Sequence, residues 1–263
     1  DSAFSSSPLI EDSYVETASD GLAHSLKTLG YVDLEYIARV TTLSIKEVIQ
    51  RLKGSIYQDP NKWNECFYKG WVTADEYLSG NVRKKLELAR RTAELYPDDY
   101  NINVEMLEKV QPQDLTASEI SVRLGATWLP PEDVERFVYE ILQTPRYAQW
   151  NIKVKYTELT GEWTIVNKTY DRTNVVSNTT YGTSRINGYR IIEDTLNLKD
   201  VRIFDYVEDE HGNKKPVLNK KETAIAQGKQ EMIKQAFQDW IWKDPNRRER
   251  LVRIYNDLFN SMR

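Results

Sequence analysis

The sequence predicts a mainly α-helical chain with a smaller α+β part. A helix-turn-helix-like, winged N-terminal half is followed by a small antiparallel sheet and two C-terminal helices. Three observations carry this expectation. Apolar residues recur at helical spacing through most of the first 145 positions. Two stretches within them carry the caps and turns of a helix-turn-helix. Clear apolar–polar alternation, the mark of a half-buried strand, gains strength only after Pro145. Four segments result: a tail or linker at 1–20, a helix-turn-helix-like unit with a wing at 21–72, a helical unit with a second such motif at 73–145, and an α+β unit with basic C-terminal helices at 146–263.

Residues 1–20 are Ser-rich and acidic, without periodicity. Three short helices follow, at Leu22–Leu29, Asp33–Val40 and Ile45–Leu52, the last capped by Ser44. Two short strands, one at Gly54–Tyr57 and one in the aromatic stretch Phe67–Val72, would form a wing. Thr73 caps a helix through Leu78, Gly80-Asn81 breaks it, and Val82, Leu86, Ala89 and Ala93 continue at helical spacing to Pro97. One more short helix holds Val104, Leu107 and Val110. From Leu115 to Leu142 the chain repeats the first motif: Thr116 and Glu119 fit a capping box, Gly125 a left-handed helix stop after Leu124, and Pro131 opens a helix with the stripe Val134, Phe137, Val138 and Ile141. Beyond Pro145, Asn151–Tyr156 and Trp163–Val166 form a hairpin around the turn Leu159–Glu162. Residues 167–190 read as exposed loop or irregular strands. A strand at Val201–Val207 pairs with Lys215–Leu218. A long helix follows at Thr223–Trp242, with Ile225, Met232, Ile233, Phe237 and Trp240 as its stripe, and a last one at Arg247–Phe259 buries Leu251, Ile254, Tyr255 and Leu258.

Composition excludes several function classes. Hydrophobic residues at 40% mark a folded chain. No apolar run approaches the roughly 20 residues that span a bilayer, and Asp1–Tyr14 has no signal-peptide pattern, so a cytoplasmic protein without membrane contact is expected. The chain also lacks an initiator Met, as a piece of something longer would. A single Cys66 excludes an internal disulfide and a multi-cysteine zinc site. His24 and His211 have no visible second ligand, and Glu208-Asp209-Glu210 is the solvated end of a hairpin. Neither G-x-x-x-x-G-K-[ST] nor G-x-G-x-x-G occurs. No catalytic residue, metal or cofactor is expected, and the chain by itself is expected not to be an enzyme.

The net charge of −4 conceals an asymmetry, with 15 Lys+Arg against 24 Asp+Glu in residues 1–145 and 21 against 16 in 146–263. Phosphate therefore favours the C-terminal part and isolated faces of the first. In the first motif, Lys46, Gln50, Arg51 and Lys53 would face outward on the third helix, residue types that reach phosphates and base edges. The basic stripe Val82-Arg83-Lys84-Lys85 with Arg90-Arg91 reads instead as helix surface paired with Glu87 and Glu94. In the C-terminal part Lys153, Lys155, Trp163, Lys168, Arg172, Tyr181, Arg185, Tyr189 and Arg190 mix cations with rings, which suits stacking on bases. Arg247, Arg248, Arg250 and Arg253 crowd the last helix and suit phosphate or a neighbouring domain. The candidate nucleic-acid contacts are Lys46, Gln50, Arg51, Lys153, Lys155, Trp163, Arg185, Arg190, Arg247 and Arg248. The second motif presents Glu132, Asp133, Glu135 and Glu140 with only Arg136 among them, so it reads as a packing centre.

Five stretches are more specific: Tyr77–Ala89 (YLSGNVRKKLELA), Val110-Gln111-Pro112 with Ala117–Trp128 (ASEISVRLGATW), and Trp240–Pro245 (WIWKDP) with Tyr255–Asn260 (YNDLFN). With them the chain, from about residue 10 to its end, resembles the region between the adenine-N6 DNA methyltransferase and SNF2-type helicase parts of very large proteins carried by conjugative elements and phages. The resemblance implies a non-catalytic, DNA-engaging and domain-connecting module, its partners being DNA and the flanking methyltransferase and helicase domains of the same polypeptide. An [ND]-P-P-[YFW] tetrapeptide is absent, Asp59-Pro60-Asn61 and Asp244-Pro245-Asn246 lacking the second proline, so no catalytic residue of that family carries over. The alternative is a scaffold that docks those domains by protein–protein contacts without nucleic acid.

Overall fold

The computed structural model describes residues 14–263. The chain divides into two compact units, one running to Asp114 and including Asn256–Arg263, the other spanning Leu115–Tyr255. The sequence places the change of character at Pro145 instead. The difference arises because the helix before Pro145 shares one core with the sheet after it.

In the first unit, helices α1 (Ala18–Leu29), α2 (Leu34–Thr41) and α3 (Ile45–Arg51) are set by local chemistry. The Thr17 hydroxyl accepts from the Asp20 N–H at 3.1 Å, the Asp33 carboxylate from the Tyr36 N–H at 3.0 Å, and Ser44 and Glu47 form a reciprocal capping box. Leu34, Ile37, Val48, Leu52 and Ile56 are buried together. Gly21 lets α1 approach α2 closely, since a Cβ there would lie 2.7 Å from the Thr41 methyl. Strands β1 (Ile56–Gln58) and β2 (Trp71–Thr73) pair antiparallel as the wing. This is a winged helix-turn-helix, as the sequence predicts; of the expected 1–20 tail, residues 1–13 lie outside the described residues.

Helices α4 (Ala74–Tyr77), α5 (Val82–Leu95) and α6 (Pro97–Lys109) complete this unit. The predicted stripe Val82, Leu86, Ala89 and Ala93 is buried. The basic stripe is engaged: Arg83 pairs with Asp114, Arg90 with Glu108 and Arg91 with Glu87. A buried polar network joins wing to helices. Gln58 Nε2 donates to the Cys66 and Lys69 carbonyls at 3.0 and 2.8 Å, Tyr100 donates to Gln58 Oε1 at 3.1 Å, and Asn103 donates to the Gln58 carbonyl at 2.8 Å.

In the second unit, the expected helix before Gly125 does not form. Thr116–Glu119 makes the predicted cap contact, the Thr116 N–H donating to Glu119 at 2.8 Å, but only a single 3₁₀ turn follows at Ala117–Glu119. The backbone is extended at Ile120, and Val122 and Leu124 enter the core while Gln238 donates to the Val122 carbonyl at 2.6 Å. β-Branched Ile120 and Val122 resist helix weakly, and burial decides. The second helix-turn-helix is therefore absent, although Gly125 does adopt positive φ, at 102°.

Helix α7 (Pro131–Ile141) buries Val134, Phe137 and Val138 as predicted. Short α8 (Arg146–Gln149) leads into the hairpin β3 (Lys153–Thr157) and β4 (Glu162–Val166), in which Tyr156 pairs with Trp163. Within 167–190, expected as loop or strands, the chain makes two irregular helical turns and then starts α9 (Gly188–Leu196), capped by Asn187. Hairpin β5 (Phe204–Glu208) and β6 (Lys214–Leu218) precedes α10 (Lys220–Ile241) and α11 (Pro245–Phe259), whose residues through Tyr255 belong here. The buried line of α10 is Thr223, Ala226, Gln230, Ile233, Phe237 and Ile241. Ile225 and Met232 lie off it and are exposed, as is Leu258 on α11, contrary to expectation.

Candidate nucleic-acid interface

Val48 and Leu52 anchor α3 in the core, and helical spacing then turns Lys46, Gln50, Arg51 and the following Lys53 outward; all four are exposed. None of the three cations has an ion-pair partner among the described residues. Glu47, the acid between them, is occupied by its cap: the Ser44 N–H and hydroxyl hold its carboxyl below the usual range. Residues 14–72 contain seven Lys/Arg and seven Asp/Glu, so the acidic excess of the first 145 residues falls outside the winged helix.

Beside α3 lies a groove of about 630 Å³. Its apolar surface comes from Ile49 and Ile56, from Trp63, Phe67 and Trp71 of the wing and its loop, and from Tyr96 and Ile102. The rings are fixed by packing and hydrogen bonding. Trp63 meets Tyr96 and Tyr100 edge-on with centroids 5.1 and 5.5 Å apart, and Trp71 Nε1 donates to the Phe67 carbonyl at 2.9 Å. Gly70, at φ 78°, permits the loop to close, because a Cβ would lie 2.5 Å from the Trp63 nitrogen. Lys46 and Gln50 of α3, Lys53 just past its end, Glu65 of the wing loop and Asp98 and Asp99 of α6 line the same groove. Of these residues, the aromatic stretch around Phe67–Trp71 is visible in the sequence; the joining of α6 to it is not.

The second unit treats its predicted contacts unevenly. Trp163 is a correction: it is 1% exposed, packed on Tyr156 within the core, and cannot stack on a base. Tyr189 is likewise buried, its hydroxyl 2.6 Å from both Thr144 and Asp171. Arg247 is a second correction. Its guanidinium lies 3.5 Å from the Trp240 ring centroid and donates to the Ile241 carbonyl at 3.0 Å, and burial pulls its pKa down. Arg185 pairs with Asp205 at 2.8 Å and also donates to the Phe204 carbonyl, while Arg190 stands 3.8 Å from Asp194. Lys168 is held by Glu193 and Arg250 by Asp133. Lys155 and Arg248 are exposed and Lys153 is half-buried, without ion-pair partners among the described residues; Arg248 donates to the Trp242 carbonyl at 3.3 Å. The structure thus brings Lys46, Gln50 and Arg51 together on α3 and leaves the other expected contacts dispersed.

Among the described residues no group of His, Cys, Asp and Glu is arranged to hold a metal ion, and no helix is long and apolar enough to cross a membrane. No curated protein and no solved structure matches the chain. Two family models do. Residues 14–72 match the one described as "Probable helicase, winged helix domain", in agreement with the fold found there, so this part is a helicase-associated winged-helix region. Residues 123–261 match "Domain of unknown function (DUF8437)", and neither match is to a catalytic domain. As that second match extends over more than half of the sequence, the chain belongs to the DUF8437 family.

Proposed function

We propose that this chain is a non-catalytic, DNA-engaging and domain-connecting module of a larger methylase-helicase of a mobile element, and that α3 of the winged helix is its principal DNA contact. The observation that carries the reading is the exposed, unpaired set Lys46, Gln50 and Arg51 on the third helix of a winged helix-turn-helix. In that fold the corresponding helix enters the major groove, where cations meet phosphates and an amide such as Gln50 reaches base edges. The helicase description of the matching winged-helix family supports it, and the long sequence motifs support the methylase-helicase parent.

Arg185, Arg247 and Arg250 of the second unit are engaged within it, so DNA affinity should depend chiefly on α3. In fluorescence anisotropy at low salt, the full chain with Lys46→Ala and Arg51→Ala is expected to bind duplex DNA at least tenfold more weakly, about 0.7 kcal/mol or more per cation. Arg190→Ala is expected to change affinity less than twofold. Equal affinity for the α3 variant and the parent, or no binding by the parent, would sink the proposal. The scaffold reading is favoured by one observation: Phe204, Tyr206, Val217 and Leu218 of the β5–β6 hairpin are exposed, as a protein-docking surface would be. Nuclease-resistant co-purification with the separated flanking domains, lost in Tyr206→Ser, would select it.

A further inference from the structure

We infer that the groove beside α3 receives one unstacked base of the DNA strand held by α3, and that it prefers guanine to thymine. The inference rests on the proposed DNA contact of α3 and extends it to a strand end or junction. Three features of the groove carry it.

The first is size and surface. At about 630 Å³ the groove falls in the range of small-ligand sites, and Trp63, Phe67 and Trp71 give it aromatic faces on which any base can stack. Packing and hydrogen bonds hold the two indoles in place before a ligand arrives, so little ordering is required on binding.

The second is the distribution of charge, with Lys46 and Lys53 at the α3 side, Asp98 and Asp99 paired on α6, and Glu65 contributed singly by the wing loop. Lys46 of α3 and Lys53 just past its end reach the groove on the side assigned to the backbone, and neither makes an ion pair among the described residues, although Lys53 lies within the field of Glu105. A phosphate flanking the inserted base is attracted to that wall. Asp98 and Asp99 reach the groove from α6 and also have no side-chain hydrogen bond or ion pair among the described residues. Their position in the first turn of α6 favours that helix, but it leaves their oxygens available to the groove. They would repel phosphate, which orients the nucleotide with its backbone toward α3 and its base edge toward α6.

The third is the match between carboxylates and base edges. Guanine offers its N1–H and N2 amino hydrogens side by side, and one carboxylate accepts both. Thymine offers a single N3–H between two carbonyl oxygens, which a carboxylate repels. The acidic wall therefore selects for guanine without a covalent step.

The test uses the full chain and three duplexes that differ only at one end: blunt, with a single-nucleotide dG overhang, and with a dT overhang. Anisotropy is expected to show the dG overhang binding about tenfold tighter than the blunt end, with quenching of tryptophan fluorescence, and the dT overhang in between. Asp98→Asn with Asp99→Asn should erase the guanine preference and leave blunt-end affinity equal or higher. Phe67→Ala, at a half-exposed ring whose removal leaves the Trp63 packing intact, should lose most of the overhang gain. Thermal melts confirm that each variant is folded. Binding to the blunt duplex with no overhang gain would overturn this inference alone, as would an overhang gain indifferent to base and to all three substitutions. Failure to bind any DNA would remove the α3 reading and this inference with it.

Discussion

Replacing Gln58 with leucine tests whether the wing is held by polar contacts or merely by its two short strands. The side chain is 6% exposed and makes three hydrogen bonds, to the carbonyls of Cys66 and Lys69 and from the Tyr100 hydroxyl. Leucine fills a similar volume, so packing is largely preserved, but three polar groups lose their partner. An unsatisfied buried group costs about 1–3 kcal/mol. The two carbonyls lie toward the partly exposed loop and recover water, which places them near 1 kcal/mol each; the Tyr100 hydroxyl is buried and sits near 2. The expected loss is about 4 kcal/mol, or about 8–16 °C in Tm for a chain of this size. Differential scanning calorimetry, with urea unfolding as a second probe, measures it. A loss below about 1 kcal/mol would refute the network as the element that closes the wing loop.

Three other outcomes follow from the same reasoning. Gly125→Ala should destabilise the second unit by about 2 kcal/mol or more, since φ is 102° and the new Cβ would lie 2.5 Å from the Leu196 carbonyl oxygen; a neutral melt would show that the segment can shift. Trp163→Ala should cost about 3–5 kcal/mol of stability while leaving the DNA affinity of the folded protein unchanged, and a selective loss of affinity would restore Trp163 as a contact. Alkali should unfold the chain through its buried phenols. Burial pushes Tyr77 up to about 12 and raises Tyr100, Tyr139 and Tyr189 as well. An unfolded phenol ionises near pH 10, so the stability from these groups is complete below about pH 10 and is lost as pH rises toward 12. Helix loss by circular dichroism should then coincide with the last phase of tyrosinate absorbance, after exposed phenols such as Tyr206 have ionised, and ionisation of all 16 tyrosines near pH 10 with the fold intact would contradict the burial.

The winged helix was legible because its signals are local. Asp33 and Ser44 sit where the helix starts need side-chain acceptors, Val48 and Leu52 mark the inner face of α3, and the outer face follows by spacing. The same signals misled at Thr116–Gly125, where cap and stop were both present but the residues between them had a better place in a distant core. Local chemistry proposes an element there and tertiary burial overrides it. Helix α9 was missed for the opposite reason. Asn187 supplies a cap and Ile191, Ile192, Thr195 and Leu196 a stripe, yet the Gly-, Asn- and Thr-rich approach masks them. Cations are the least legible class. Nothing local tells that Arg247 will lie on Trp240 or that Arg185 will meet Asp205, because both contacts depend on the folded arrangement of the second unit. Lys46 and Arg51 differ in that the acid nearest them, Glu47, is already committed to a cap. The groove required α6 to pack against the wing, a contact between residues far apart in sequence.

The central claim is that α3 supplies the phosphate-binding cations, and the salt dependence of DNA binding addresses it most directly. Each phosphate contact contributes about −0.9 to the slope of log K against log salt. If Lys46 and Arg51 both contact phosphate, the variant carrying Lys46→Ala and Arg51→Ala should show a slope shallower by about 1.8 than the unaltered chain. Arg190→Ala, at a residue beside Asp194, should leave the slope unchanged. Parallel slopes for the α3 variant and the unaltered chain would contradict the account, placing the DNA contact on another face of the molecule.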